Sequence, residues 1–210
     1  MAAAAPVSLQ RMAPPEEAAR GDFHALLARL LWRGPDAALL ASLARAEPLP
    51  SGADPALAKA WLELTQASSV MDEAAAAAEY DALFAGVGKA PVSIYAGHYA
   101  GAMAADHPRV RLQADFARFG LARRETATEP EDHLAGLFEV MRVLAAGGAG
   151  RARAQIAEQK RFFLTYLEPA AIPFFEAVMA SEHANYYRKV AALGAAFAAI
   201  ESASFEFETG

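Results

Sequence analysis

The sequence of 210 residues contains no cysteine. Without thiols, the chain can form neither disulfide bonds nor thiolate zinc sites, and cysteine nucleophiles are excluded. β-Branched residues are few and do not alternate with polar residues, so strands are not expected. A basic patch is also missing, because the arginines are scattered among acidic residues and the net charge is −6. The composition therefore argues against a nucleic-acid-binding protein.

The sequence also lacks the patterns expected of exported or membrane-spanning proteins. Residues 1–15 have no positively charged start before an apolar core, so we expect no secretory signal. No uncharged apolar run reaches the roughly 20 residues that span a bilayer. The arginine pair at 123–124 lies in the middle of the chain, where it is not expected to act as an export signal. We therefore expect a soluble protein that remains in the cytoplasm.

Alanine, the residue with the highest helix propensity, is abundant throughout the chain. We expect an all-α fold, a single-domain bundle of roughly nine or ten helices with one long irregular loop near residues 86–105. Residues 1–14 are expected to form a flexible tail, residues 15–205 the helical domain and residues 206–210 a second tail. The predicted helices cover 15–32, a short segment after residue 35, a segment from residue 55, 72–84, 107–119, 131–146, 151–167, 170–180 and 183–205.

Two predicted details of these helices depend on particular residues. Asp54-Pro55 has the pattern of a helix start, a capping residue followed by proline at the first helical position. The expected buried stripe of that helix comprises Leu57, Trp61, Leu62 and Leu64. The polar residues 122–128 are expected to form a linker that could act as a hinge.

Residues 128–134 combine the chemistry of a helix start with a histidine. Thr128 can cap the helix, and Glu131 can complete a capping box. His133 is not explained in this way. A protonated imidazole is disfavoured near a helix N-terminus, so we expect a neutral side chain. From the residues alone, a solvated His133 and a ligand-contacting His133 are equally compatible with the pattern.

Two other functional classes remain open at the level of single residues. A helical metal phosphohydrolase could use Asp132 and His133, although their order is the reverse of the usual His-Asp pair and no close pair of histidine ligands occurs. A nucleotide-binding regulator could use the glycines of residues 86–89. A P-loop, however, follows a strand and has Ser or Thr after its lysine. A helix C-terminus with Gly86 in the left-handed conformation is the favoured interpretation.

Two motifs carry a resemblance to a known family. The first comprises Glu79-Tyr80, Leu83-Phe84, Gly86-x-Gly88, Pro91-Val92-Ser93, Tyr95 and Tyr99, and the second comprises Glu129-Pro130-Glu131-Asp132-His133-Leu134. In this order, separated by one helix, they resemble the TorD/DmsD family of redox enzyme maturation chaperones. The resemblance covers about residues 70–205, and the related NarJ branch fits the motif pair less well. One departure is Gly97, where the family commonly has a serine that could cap the next helix.

The resemblance implies a cytoplasmic, non-enzymatic chaperone without a cofactor. Its expected partners are the precursor of a molybdopterin-containing oxidoreductase and the twin-arginine signal peptide of that precursor, whose export is delayed until the cofactor is inserted. The expected oligomeric state is a monomer or a domain-swapped dimer. The residues implied in peptide binding are Pro130, Glu131, Asp132, His133 and Glu129, with Tyr80, Gly86, Gly88 and Tyr95 shaping the adjoining loop.

Overall fold

The computed structural model describes residues 15–85, 90–99, 108–121, 129–148 and 152–207. These residues form nine α-helical segments: α1 (Pro15–Trp32), α2 (Ala37–Ala44), α3 (Pro55–Val70), α4 (Glu73–Tyr80), α5 (Pro108–Arg118), α6 (Leu134–Ala146), α7 (Ile156–Phe162), α8 (Glu168–Ala180) and α9 (Tyr186–Phe207). A π-helical turn extends α4 over Asp81–Ala85, and a second one, Phe163–Leu167, joins α7 to α8. The predicted all-α fold is confirmed.

The core is a single apolar cluster dominated by aromatic side chains from the C-terminal half. The largest fully buried side chains are Tyr186, Tyr187, Phe138, Phe162, Phe163, Phe174, Phe175 and Phe205. Helices α8 and α9 approach so closely that a Cβ atom on Gly194 would lie 2.2 Å from the ring of Phe175. Burying these large rings contributes strongly to the hydrophobic stabilisation of the core.

Helices α1 and α6 form an antiparallel pair. A Cβ atom built on Gly21 would lie 2.8 Å from Cβ of Ala146, near the start of α1 and the end of α6. At the opposite end, the rings of Trp32 and His133 lie 5.3 Å apart. This pairing places the end of α1 beside the segment that precedes α6.

A buried polar network joins α1, α7 and α9. Glu201 accepts hydrogen bonds from Nε and Nη2 of Arg20 at 2.6 and 2.8 Å and lies 3.2 Å from Nε2 of His24. Nη1 of Arg20 also donates to Gln159. Because Glu201 and His24 are almost completely buried, these bonds compensate for the loss of hydration. This network could not be predicted from local sequence patterns, since its members lie far apart in the chain.

The first four predicted helices are present. The prediction of the buried stripe in α3 was wrong at one residue, Leu62. Leu62 is 46% exposed, whereas Leu57 and Leu64 are buried and Trp61 is partly buried. Leu62 follows Trp61 directly, so the 100° rotation per residue turns it away from the core face that Leu57 and Leu64 share. The cap is as predicted, because Asp54 accepts hydrogen bonds from the N–H groups of Ala56 and Leu57.

The predicted helices at 151–167 and 170–180 are continuous with each other, and the first begins later, at Ile156. Pro169 lies at their junction, where proline cannot donate to the carbonyl four residues earlier. The π-helical turn Phe163–Leu167 changes the hydrogen-bond spacing just before Pro169, so the chain passes the proline without a break. The last helix begins at Tyr186 rather than 183 and ends at Phe207, two residues past the predicted domain end.

The helix predicted over 131–146 also begins later, at Leu134, and ends at Gly147 as predicted. Its N-cap is His133, so the capping box with Glu131 at its third position is wrong. Thr128, the linker 122–128, the N-terminal tail and most of the predicted loop at 86–105 lie outside the described residues.

Two helical stretches, Ile156–Ala180 and Tyr186–Phe207, are long and apolar enough to span a membrane by length and composition alone, which the sequence analysis did not anticipate. About half of each apolar window is buried inside the protein. Their apolar character follows from their position at the centre of the bundle, where Phe174 and Tyr187 are fully buried.

Candidate functional site

The two motifs that carry the family resemblance lie side by side. Tyr95 and His133 form an isolated antiparallel bridge. The N–H of Ala96 donates to the carbonyl of Asp132 at 2.8 Å, and the N–H of Leu134 donates to the carbonyl of Ile94 at 3.0 Å. These two bonds fix the turn before α6 against the segment before the short 3₁₀ turn Ala96–His98.

Asp132 faces the interior. Its side chain is 1% exposed, and Oδ2 accepts a hydrogen bond from the N–H of Gly97 at 3.1 Å. A Cβ atom on Gly97 would lie only 2.8 Å from the same oxygen. Glycine therefore permits the close approach of the carboxylate at the position where the family commonly has serine. In this arrangement Asp132 orders the two motifs and is not a surface carboxylate.

His133 caps α6 through its side chain. Its Nδ1 atom accepts the hydrogen bond of the Ala135 N–H at 3.2 Å, so Nδ1 carries no proton and the proton of a neutral ring resides on Nε2. Burial lowers the pKa of His133, an effect partly opposed by Glu129 and Asp132. The ring stands edge-on to Trp32 and Tyr95. The geometry agrees with the neutral imidazole expected from the sequence.

The remaining acidic residues of the second motif are partly exposed. Oε2 of Glu129 accepts a hydrogen bond from the Tyr95 hydroxyl at 2.6 Å. Oε1 of Glu131 accepts a hydrogen bond from Nε2 of Gln113 on α5 at 3.2 Å. The carbonyl of Pro130 accepts the hydrogen bond that closes the turn to the N–H of His133. The motif thus presents two carboxylates that are both positioned by neighbouring helices or loops.

The first motif contributes mainly to architecture. The hydroxyl of Tyr80 donates to the carbonyls of Leu31 and Trp32 at the C-terminus of α1, at 3.2 and 3.1 Å. Burial raises the pKa of Tyr80, so its hydroxyl stays protonated. The carboxylate of Glu79 accepts the N–H groups of Asn185, Tyr186 and Tyr187 at the start of α9. Gly86 and Gly88 lie outside the described residues.

A groove of about 900 Å³ opens between α1, α5, α6 and the second motif. Its lining comprises Ala25, Ala28, Arg29, Trp32, Arg33, Phe116, Leu121, Glu129, Pro130, Glu131, His133, Ala135, Gly136, Glu139, Val140 and Val143. Small residues from α1 and α6 form part of this surface, and Trp32 is 45% exposed at its edge. A concave surface of this volume, partly apolar and with a few charged groups, is typical of a ligand-binding site.

Four of these lining residues were predicted from the sequence, namely Glu129, Pro130, Glu131 and His133, but those contributed by α1 and α5 were not. Trp32 was placed only at the end of a helix. A tryptophan at the last position of an amphipathic helix, directly before Arg33-Gly34, was the available signal, because large aromatic residues are enriched at binding surfaces. The pairing of α1 with α6 could not be inferred from spacing along the chain.

The geometry does not support the phosphohydrolase alternative. Within the described part of the chain, no three His, Asp or Glu side chains converge as metal ligands. Asp132 accepts a hydrogen bond from Gly97, and His133 caps α6 through Nδ1. The two residues that this alternative required therefore face different partners. The glycine loop 86–89 of the nucleotide-binding alternative lies outside the described residues.

Residues 51–176, more than half of the chain, match the family described as the nitrate reductase delta subunit. The chain belongs to this family. It is a TorD-like family of molybdoenzyme maturation chaperones, and its members are chaperones rather than catalytic enzymes. No curated protein matches the chain. The family match includes both motifs but not α1, so one wall of the groove lies outside the matched region.

Proposed function

We propose that this chaperone binds the precursor of a molybdopterin-containing catalytic subunit through the twin-arginine signal peptide of that precursor. The chaperone acts in the cytoplasm and delays export until the cofactor has been inserted. Within the family, the proposal assigns the chain to the TorD/DmsD branch. The oligomeric state, monomer or domain-swapped dimer, stays a prediction that light scattering of the purified protein would test.

The observation that carries the proposal is the composition of the groove. A twin-arginine signal combines two guanidinium groups with an apolar stretch. The groove combines the carboxylates of Glu129 and Glu131 with an apolar surface that includes Trp32, Val140 and Val143. Guanidinium groups form bidentate hydrogen bonds with carboxylates, and burial of the apolar stretch supplies affinity.

The site residues have different proposed roles. Glu129, Glu131, Pro130 and His133 contact the peptide. Asp132, Tyr80 and Tyr95 hold the groove in shape, since their polar groups bond to neighbouring parts of the protein. Gly86 and Gly88 are proposed to shape the adjoining loop.

Calorimetric titration with a panel of twin-arginine signal peptides tests this function. We expect micromolar binding of at least one peptide, near −8 kcal/mol or about 1 μM. Trp32→Ala should weaken binding, because Trp32 is an exposed apolar side chain in the groove. Leu62→Ala is the matched control, since Leu62 is equally exposed but lies on α3 outside the groove. Equal affinities for the two variants, or no binding of any peptide by the folded protein, would contradict the proposal.

A further inference from the structure

The two ends of the groove are lined by different residues. Because α1 and α6 are antiparallel, the C-terminus of α1 and the N-terminus of α6 meet at one end. At one end, Trp32 of α1 lies beside His133. Towards the other end, the lining consists of Ala25 from α1 and Val140 and Val143 from α6. From residue 133 to residue 143 the groove follows α6 for about 15 Å, at 1.5 Å per residue. This length accommodates about ten helical or five extended residues of a ligand.

The two ends differ in charge. Glu129 and Glu131 lie in the turn before α6, at the end marked by Trp32. The groove residues near Val143 on α6 and Ala25 on α1 are apolar. Glu139 lies between the two ends, but Arg142 binds its carboxylate with two hydrogen bonds of 2.7 and 2.8 Å. Glu129 and Glu131 are the lining carboxylates at the Trp32 end, and the described lining has no carboxylate beside Val143 and Ala25.

The two arginines that line the groove lie towards the same end as Glu129 and Glu131. Arg29 lies in the last turn of α1, and Arg33 directly follows Trp32, before Asp36, the N-cap of α2. Arg29 forms an ion pair with Asp36. Apart from Glu139, the charged residues of the lining therefore lie towards the Trp32 end, and the lining near Val143 and Ala25 is apolar.

We infer that the groove binds a signal peptide in a single direction, with its arginines at Glu129 and Glu131 and its apolar stretch extending along α6 towards Val143. This inference rests on the proposed function, because in a twin-arginine signal the basic residues precede the apolar stretch. The bound peptide then runs parallel to α6 and antiparallel to α1. In the reverse direction, the guanidinium groups would lie beside Val143 and Ala25, away from Glu129 and Glu131, where burial of a charge without a carboxylate partner is unfavourable.

Paramagnetic labelling can determine the direction. The chain has no cysteine, so one introduced cysteine takes the spin label at one place. Ala38→Cys on α2 places the label near the carboxylate end, and Ala18→Cys on α1 places it near the apolar end; both positions are exposed. The bound probe is a twin-arginine peptide with isotope-labelled arginines and apolar residues, whose signals are recorded with the label oxidised and reduced.

We expect the label at position 38 to cause the larger loss of intensity in the arginine signals and the label at position 18 to cause the larger loss in the apolar signals. The opposite pattern, or equal losses from both labels, with the peptide bound would overturn the direction while leaving the proposed function intact. If the peptide binds neither the unlabelled variants nor the original chain, the direction of binding and the proposed function are both overturned. A diamagnetic label at each position controls for effects of the substitution itself.

Discussion

At the scale of single residues, Glu201 is an almost completely buried carboxylate outside the groove. Burial alone would raise its pKa, but the hydrogen bonds from Arg20 and His24 outweigh that effect and lower the pKa to about 2. Glu201→Gln keeps the shape of the side chain and removes the charge that Arg20 requires. Because Arg20 remains partly exposed, we expect the free energy of unfolding to fall by about 2 kcal/mol, less than for a fully buried pair.

Urea denaturation at neutral pH measures this loss, and Glu182→Gln, at an exposed position, is the control. The pH dependence gives an independent check. Since the folded pKa of Glu201 lies below the unfolded value, its contribution is present above pH 4.5 and is lost as the pH falls towards about 2. The variant should therefore lose less stability over that range than the original chain. If the free energy of unfolding of Glu201→Gln depends on pH in the same way as that of the original chain, Glu201 is not held as a carboxylate.

His133 has two roles that substitutions can separate. His133→Ala removes the acceptor that caps α6, so we expect a loss of about 1 kcal/mol in the free energy of unfolding. His133→Asn supplies a different capping oxygen and should restore most of that stability. Neither variant keeps the imidazole that faces Trp32 and lines the groove. We therefore expect weakened peptide binding in both, measured by calorimetry. Normal binding by His133→Asn would mean that His133 acts only through the cap.

The pKa of His133 also determines whether the free energy of unfolding rises or falls as the pH decreases. Burial lowers this pKa, so the unfolded chain takes up the proton first as the pH falls. The stability contributed by neutral His133 is complete above the unfolded value of 6.5 and decreases below it. His24, whose pKa is also lowered by burial, acts in the same direction. Between pH 7 and pH 5, the original chain should therefore lose more free energy of unfolding than His133→Asn, and the difference between the two losses is the contribution of His133. A larger loss in His133→Asn would contradict a buried neutral imidazole.

At the scale of helices, Glu79 connects α4 to α9. Its carboxylate accepts three N–H groups at 2.7 to 3.0 Å at the start of α9, where the helix dipole also favours negative charge. Glu79→Ala leaves these donors without their partner. We expect a loss of about 2 kcal/mol, at the upper end of the range for N-caps. Thermal unfolding measures it, and Glu176→Ala, exposed on α8, is the control. Equal melting temperatures of the two variants would exclude the capping role.

Helix positions were the most predictable level of the structure, because the spacing of apolar residues and the capping signals act locally. The bounds of α1 and the cap at Asp54 followed directly from such signals. The start of α6 did not, because His133 caps it instead of Thr128, and histidine is an uncommon capping residue. The separation predicted between the helices at 151–167 and 170–180 was wrong, since a π-helical turn joins them just before Pro169. Local signals thus locate helices but do not predict such compensations.

The site was predictable only where sequence motifs marked it. The resemblance indicated residues 129–133 and the segment around Tyr95, and these do lie together. It could not indicate that Asp132 points inward, because that orientation depends on the hydrogen bond to Gly97. The α1 wall of the groove depends on tertiary pairing between distant helices, which a single sequence does not encode in any local pattern.

At the scale of the whole molecule, the net charge of −6 favours a basic peptide. The affinity of the proposed complex is nevertheless expected to depend mainly on the apolar surface of the groove. Exposed arginine–carboxylate pairs contribute about 0.2–1 kcal/mol each, so Glu129 and Glu131 together supply roughly 2 kcal/mol at most. Burial of about 400 Å² of apolar surface contributes ~10 kcal/mol before the cost of ordering the peptide. We therefore expect the apolar surface to determine affinity and the carboxylates to determine which peptides bind.

Salt and substitution together test that division. Screening of the carboxylates by roughly 0.15 M salt should weaken peptide binding less than about tenfold, since tenfold corresponds to ~1.4 kcal/mol. Val140→Asp places a charge in the apolar part of the groove and should weaken binding by more than about tenfold. Val70→Asp is the matched control, because Val70 is 86% exposed at the end of α3 and lies outside the groove. A steep loss of affinity in moderate salt, with little effect of Val140→Asp, would show that charge dominates and that the apolar lining serves the fold instead of the ligand.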